Sequence, residues 1–332
     1  MEETPIYDLI IVGMGAAGLS AGIYTGRYRM KVLIFGAEFG GETTKAGFIE
    51  NYPGFTAIDG FDLITKMHDQ AKALGAEMAD DRVTAVRRTG HCFEVDAAGK
   101  TYQTNQIVFA VGAERRRLGL PNEKELAGRG VHYCVTCDGP VYSGKTIAMV
   151  GGGDASVKGV NLAAEYAKKI YLIVRGKDVT AETINMESLA KLGEKVEVLL
   201  ETGVSELVGK DKLEKIILSK PYKGSTDLVI DGLFVEIGAV PNVELAASLG
   251  VELDERGYIK TDNMMRTNVD GVFAAGDTVN HFGAFKQDIT AAALGAVAAT
   301  SAYEDHKIHG ELCALHWMPP MPVQDSSKAV IK

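Results

Sequence analysis

Several things are scarce in this 332-residue chain, and each scarcity closes a class of function. No run is long and apolar enough to cross a bilayer, since the longest small and apolar stretch, residues 291–299, falls short of the about 20 residues that a spanning helix takes. Basic charge is in deficit, with 35 Lys and Arg against 44 Asp and Glu and a formal net charge of −9. Nucleic acid attracts basic surfaces and is not an expected partner. Cysteine is sparse at four residues, too few for a disulfide framework in a chain this long. The start, MEETPIYDLIIVGMG, opens acidic and enters an apolar strand at once, unlike a targeting leader. A cytoplasmic location is expected.

Glycine, by contrast, is plentiful at 38 residues, many of them between apolar strands and helices. YDLIIV reads as a buried strand, Gly13-Met14-Gly15-Ala16-Ala17-Gly18 as a turn, LSAGIYTGRY as a helix and KVLIF as the next strand. A GxGxxG between strand and helix marks a dinucleotide site. Its glycines allow a tight turn and close approach of the backbone, and free N–H groups at the helix start face a pyrophosphate. Glu38 is the nearest acid for a ribose, although Phe35-Gly36 stands where that acid is expected.

A second such start follows later. KTIAMV, then Gly151-Gly152-Gly153-Asp154-Ala155-Ser156, then VKGVNLAAEYA and KIYLIVR repeat the strand, turn, helix, strand order. Pro and Gly clusters near Pro121 and Pro241 flank this unit. The expected fold is α/β with two Rossmann-like dinucleotide-binding domains, the second inserted into the first. Residues 1–117 and 245–310 form the first domain, 118–244 the second, and 311–332 a tail whose Pro319, Pro320 and Pro322 forbid a regular helix.

Between the two units lies CVTCDG, with Cys134, Cys137 and Asp138. A zinc site needs four ligands, usually two such pairs; one pair with His132 as the only nearby histidine does not make one, and no metal is expected. A structural disulfide across two residues closes too short a loop to constrain the chain. A dithiol–disulfide switch remains, and a carboxyl beside it can move the proton that exchange requires. For Asp138 a helix-capping or turn role stands as the alternative. Cys92, in the alternating HCFEVD, reads as a small packing residue.

The landmarks VGMGAAGL, GGETTKAGFIENYPG, CVTCDG, GGGDAS, GVFAAGD and KQDITAA, in this order over residues 5–305, resemble the low-molecular-weight thioredoxin reductases. The resemblance implies FAD in the first domain. Gly13, Gly15, Ala16, Ala17 and Gly18 would cradle its pyrophosphate, and Glu38, Gly41, Glu42 and Asn51 would lie along the cofactor. Gly112 and Gly276 would lie there too, and Asp277 would hold the ribityl chain. Lys286, Gln287, Asp288 and Ile289 would bring a helix start to the flavin edge. Cys137 would receive electrons from reduced FAD, Cys134 would attack the disulfide of thioredoxin, and Asp138 would be the acid–base group. A homodimer, and a second domain that swings between flavin and thioredoxin, are implied in the same way.

The chain departs from that pattern in the second unit. NADPH-dependent members end the strand after the glycine turn in His-Arg-Arg and carry a further Arg, which hold the 2′-phosphate. Here the strand ends Val174-Arg175-Gly176, and Thr180 stands at the later position. An NADH site would instead call for an acid where Arg175 stands. Ser156 takes the third glycine position, and Glu42 replaces a family Gln. These changes are similar to the pyridine-nucleotide-independent, ferredoxin-dependent flavin thioredoxin reductases and point to ferredoxin rather than NADPH as donor. The alternatives are a divergent NADPH-dependent thioredoxin reductase and a flavin dithiol oxidase acting on a small molecule with oxygen. In the tail, Trp317 or His316 is a candidate to lie near the flavin, against the plainer reading of a disordered or dimer-packing segment.

Overall fold

The computed structural model of the chain describes residues 6–90, 92–283 and 285–309. The tail with His316 and Trp317, and Cys313, lie outside the described residues. The described chain forms two compact α/β units.

In the first unit, β1 (Ile6–Val12) and β2 (Val32–Phe35) flank α1 (Ala16–Arg27). After α2 (Gly60–Ala73) come β3 (Glu77–Ala79), β4 (Val83–Thr89), β5 (Cys92–Ala97) and β6 (Lys100–Phe109). β2 is buried at every residue and β1 over its last four, as suits strands covered on both faces of a parallel sheet. The sheet runs β3-β2-β1-β6-β5-β4. The first three pairings in that order are parallel, and β4, β5 and β6 form an antiparallel meander. A late strand, β17 (Val272–Ala274), adds in parallel beside β6.

The helix α6 (Asp288–His309) packs on α1 through small residues. A Cβ on Gly295 would stand 2.0 Å from the Ala17 carbonyl oxygen, so the backbones meet with no room for a side chain. Asp59 caps α2 by accepting a 2.9 Å hydrogen bond from the Phe61 N–H, and a satisfied helix start fixes where the chain turns in.

The second unit repeats the plan. β7 (Ala113–Arg115) leads in, β8 (Val131–His132) follows, and α3 (Val135–Asp138) is a single turn. Then come β9 (Thr146–Val150), α4 (Asp154–Ala163), β10 (Lys169–Ile173), α5 (Thr183–Lys191) and β11 (Val196–Leu199). An antiparallel triplet β12 (Val204–Val208), β13 (Lys215–Tyr222) and β14 (Ser225–Val229) precedes β15 (Gly232–Val235) and β16 (Ala239–Pro241). The main sheet is parallel in the order β8-β15-β9-β10-β11. In each unit an inner strand of the sheet, β1 or β9, ends in a glycine turn at its carboxyl end, the place where doubly wound folds bind ligands. The triplet covers one side of that sheet, with Leu207, Ile216, Leu218 and Leu228 buried against Val150 and Leu233. The other side carries α4, with Val157, Val160 and Ala163 buried on Met149 and Phe234.

The chain passes between units at Gly112 and again at Val240, ahead of the breaks expected after residues 117 and 244. β7 counts with the second unit and pairs with β16 as a two-stranded ribbon, at whose end the chain returns to the first unit. Replacing Gly295 by Val is expected to wedge α6 off α1 and cost about 3 kcal/mol, the upper range for overpacking, read from the urea midpoint.

Candidate active site

The first glycine turn is built backbone against backbone. Gly13 has φ +119°, and a Cβ there would stand 2.1 Å from the Ala110 carbonyl oxygen. A Cβ on Gly18 would come within 1.8 Å of the Gly13 carbonyl oxygen. Both glycines therefore serve the fold itself. Gly15 differs. A Cβ there would find within 4 Å only the Gly40 carbonyl oxygen, at 3.7 Å. Gly15 is also the N-cap of α1 and offers no capping side chain, so no side chain closes off the first N–H groups of α1. Ala16, Ala17 and Gly18 form that first turn.

The sequence-derived residues of this unit fall into linked pairs. Asn51 Nδ2 donates to Gln287 Oε1 at 2.9 Å, and the Thr43 hydroxyl donates to Asp288 Oδ1 at 2.6 Å. Both bonds tie the loop after β2 to the start of α6. Asp277 is part-buried after β17, and burial pushes its carboxyl above the usual range. Lys286 pulls it back down, while Asp288 and Glu42 push it up. Lys286 is pushed down by its own burial; its ammonium donates to the Val279 carbonyl and sits 4.4 Å over the Tyr258 ring. That places the Lys286 charge against the protein. Glu38 is exposed, Gly41, Gly112 and Ile289 are partly exposed, and Gly276 is buried.

In the second unit Cys134 and Cys137 are joined as a disulfide. Cys134 is the N-cap of α3, and its Sγ accepts from the Cys137 N–H at 3.1 Å. The Asp138 N–H donates to the Cys134 carbonyl at 3.1 Å and closes the turn. Gly139 follows because there is no space for anything larger: a Cβ would stand 1.8 Å from the Tyr166 hydroxyl oxygen. From below, α4 meets α3 at Gly159, where a Cβ would lie 3.0 Å from Val135 Cγ2. Gly159 costs the helix some propensity, and this contact is what it provides.

Sequence reasoning passed over one group here. His132 Nδ1 lies 3.1 Å from Asp138 Oδ2, and His132 Nε2 lies 2.7 Å from the Tyr142 hydroxyl. The CVTCDG motif gives no hint of it, because His132 ends a strand and Tyr142 lies beyond the following turn. Among the described residues there is no cluster of three or more His, Cys, Asp or Glu suited to a metal ion, and no helix long and apolar enough to cross a membrane.

The second glycine turn repeats the first in part. Gly151 has φ +140°, and a Cβ there would stand 2.1 Å from the Glu236 carbonyl oxygen. Ser156, at the third position, is fully buried and donates to the Gly153 carbonyl at 2.8 Å, so its hydroxyl is satisfied within the turn. Thr180 returns across the turn and donates its N–H to the Gly152 carbonyl at 2.6 Å. Asp154 Oδ1 accepts from the Glu182 N–H and from Asn185 Nδ2, both at 2.9 Å. At the end of β10, Val174 is buried while Arg175, Gly176 and Lys177 are exposed.

The description pyridine nucleotide-disulphide oxidoreductase belongs to a family model that matches residues 7–299. The chain belongs to this family. Within it, the chain is 38% identical over 304 residues to a thioredoxin reductase of Listeria innocua, covering 91% of this chain and 94% of that one. Among solved structures, the thioredoxin reductase of Lactococcus lactis in its FR conformation matches with a TM-score of 0.84 and 34% identity, over 90% of this chain and 98% of that one. A ferredoxin-flavin thioredoxin reductase of Clostridium acetobutylicum matches with a TM-score of 0.50 and 32% identity, over 92% and 99%.

The packing around α3 is testable. Gly139→Ala is expected to cost about 1–3 kcal/mol, as overpacking does. Adding Tyr166→Phe, which removes the opposing hydroxyl, is expected to restore part of that loss in a double-mutant cycle.

Proposed function

We propose that this family member is a flavin-dependent thioredoxin-disulfide reductase whose electron donor is ferredoxin rather than NADPH. The observation that carries the reading is the Cys134–Cys137 disulfide at the start of a one-turn helix, with Asp138 next in line and the second glycine turn just beyond.

The first unit suits FAD. The room beside Gly15 and the uncapped start of α1 fit a pyrophosphate, with Ala16, Ala17 and Gly18 supplying N–H groups. Asp277 and Gly276 fit a polar chain beyond it, with Glu38 toward the ribose. Asn51, Gln287 and the start of α6, with Asp288 and Ile289, fit the ring edge, where a helix N-terminus favours developing negative charge. FAD, when bound, supplies the electron pair that opens the disulfide.

The remaining chemistry belongs to the chain's own sulfurs. Reduced, the pair is a dithiol. The Cys134 thiolate attacks a thioredoxin disulfide, and one thioredoxin sulfur leaves and takes a proton. The Cys137 thiolate then attacks Cys134 Sγ, closes the enzyme disulfide and releases the second thioredoxin thiol. Two electrons and two protons pass from dithiol to substrate. The N-cap place of Cys134 supports its role as attacker, since a helix start stabilises a thiolate. Asp138 handles the protons.

What surrounds the second glycine turn supports this choice of donor. A 2′-phosphate is held by several cations, and this strand end offers Arg175 and Lys177 alone. Thr180 and Asp154 spend their hydrogen bonds within the protein. An NADPH-dependent enzyme with a weaker site is the second reading, supported by the family-wide match.

Anaerobic mixing of the oxidised holoenzyme with NADPH, NADH or reduced ferredoxin is expected to bleach the flavin promptly with ferredoxin alone. Rapid bleaching at micromolar NADPH contradicts the donor assignment. Gly176→Arg combined with Thr180→Arg is expected to strengthen the NADPH response about tenfold or more, since each charge-assisted contact is worth about 1.5–3 kcal/mol. Cys134→Ser and Cys137→Ser are each expected to abolish thioredoxin turnover as completely as the double variant, because the two sulfurs act as one unit. Gly15→Val is expected to lower the flavin bound per chain without unfolding it, read as the ratio of flavin to protein absorbance.

A further inference from the structure

His132 ends β8 and is buried at 6% exposure, a costly place for an imidazole with nothing to bond. Both of its nitrogens are engaged, Nδ1 toward Asp138 Oδ2 and Nε2 toward the Tyr142 hydroxyl. One ring face stacks on Phe234 at 5.3 Å between centroids and 27° between planes. Tyr142 meets the ring edge-on at 72° and is itself buried. The imidazole is therefore fixed in position and in plane.

The partners fix the proton as well. A phenol oxygen can accept, so Nε2 carries the ring hydrogen and donates to Tyr142, which leaves Nδ1, beside Asp138 Oδ2, as the site that takes up a proton. The other charged groups near this set act on Tyr142: Lys145 Nζ lies 5.2 Å from the Tyr142 ring centroid, and Asp231 adds its negative charge. Phe234, on β15, brings no charge. Asp138 itself is 41% exposed, so it alone of the three reaches solvent to any extent.

We propose that His132 is a positioning residue for Asp138, holding its carboxylate beside the Cys134–Cys137 pair and storing the proton that moves during exchange. This rests on the dithiol–disulfide reading of that pair. An isolated carboxyl is ionised at neutral pH and has no proton to give, whereas an imidazole changes charge near neutrality. When Cys134 attacks, its proton passes to Asp138 and on to Nδ1 of His132, giving an imidazolium–carboxylate pair in which Nδ1 donates to Asp138. When a substrate sulfur leaves as thiolate, the same proton returns through Asp138 to it. The second exchange repeats this with the Cys137 proton. Each attacking thiol loses one proton, each leaving thiolate gains one, and His132 ends as it began. Tyr142 keeps the ring aligned throughout, accepting from the Nε2–H group in both the neutral ring and the imidazolium.

Two substitutions separate holding from storing. In His132→Asn the side-chain N–H group stands near the place of Nδ1 and can still donate to Asp138, but it cannot take up a proton. His132→Phe keeps the stacking on Phe234 and loses both bonds. Each full-length holoenzyme is reduced anaerobically with dithionite and mixed by stopped flow with a small aryl disulfide, dithiobisnitrobenzoate, and separately with oxidised thioredoxin, across the neutral pH range. Thermal unfolding and flavin content are measured alongside.

His132→Phe is expected to slow reoxidation about 10- to 100-fold with both acceptors, the range for a misplaced acid–base group. His132→Asn is expected to recover part of the rate but to lose the pH dependence that the wild type shows. Wild-type rates and an unchanged pH profile in the Asn variant overturn the proposal, whether or not the Phe variant folds. If wild type reduces the aryl disulfide but not thioredoxin, the substrate assignment falls, and the variant comparison on the aryl disulfide still decides the role of His132.

Discussion

Everything in both units hangs on one contact, a glycine at the carboxyl end of the first strand pressed against a carbonyl of its neighbour. In the first unit it is Gly13 on Ala110, in the second Gly151 on Glu236, and the missing Cβ would fall 2.1 Å from the oxygen in each. That approach brings the following helix back over its sheet with its start facing outward. The strands on either side of β1 and of β9 pair with them in parallel.

From that shared contact the two units diverge in how they use the turn. Both leave the glycine ahead of the helix, Gly15 or Gly153, open and the helix start without a side-chain cap, so the difference lies further along the turn. The second closes hydrogen bonds across its turn from Ser156, Thr180, Glu182 and Asn185. The second unit also carries Cys134 and Cys137.

Much of this was legible in the sequence, and the boundary of legibility has a physical cause. Strands buried on both faces are continuous apolar runs, so YDLIIV, KVLIF and KTIAMV announced themselves, and the glycine turns between strand and helix did too. The cysteine pair stood out because its spacing and its neighbouring acid are local. His132 did not, because its meaning lies in two partners reached across a strand end and a turn. Gly159 is the clearance for Val135, a role that no local pattern announces. Lys286 lay in a motif yet turned its charge toward Val279 and Tyr258. Each of these depends on which elements pack together, and local pattern carries little of that.

The helix that bears the cysteines is one turn long, too short to hold a shape by its own hydrogen bonds. Its form is lent to it by Tyr166 against Gly139, by Gly159 beneath Val135 and by His132 on Asp138. The tetrapeptide is therefore not a portable part. Grafted alone into another scaffold, CVTC would bring two sulfurs and leave behind the neighbours that determine how they react.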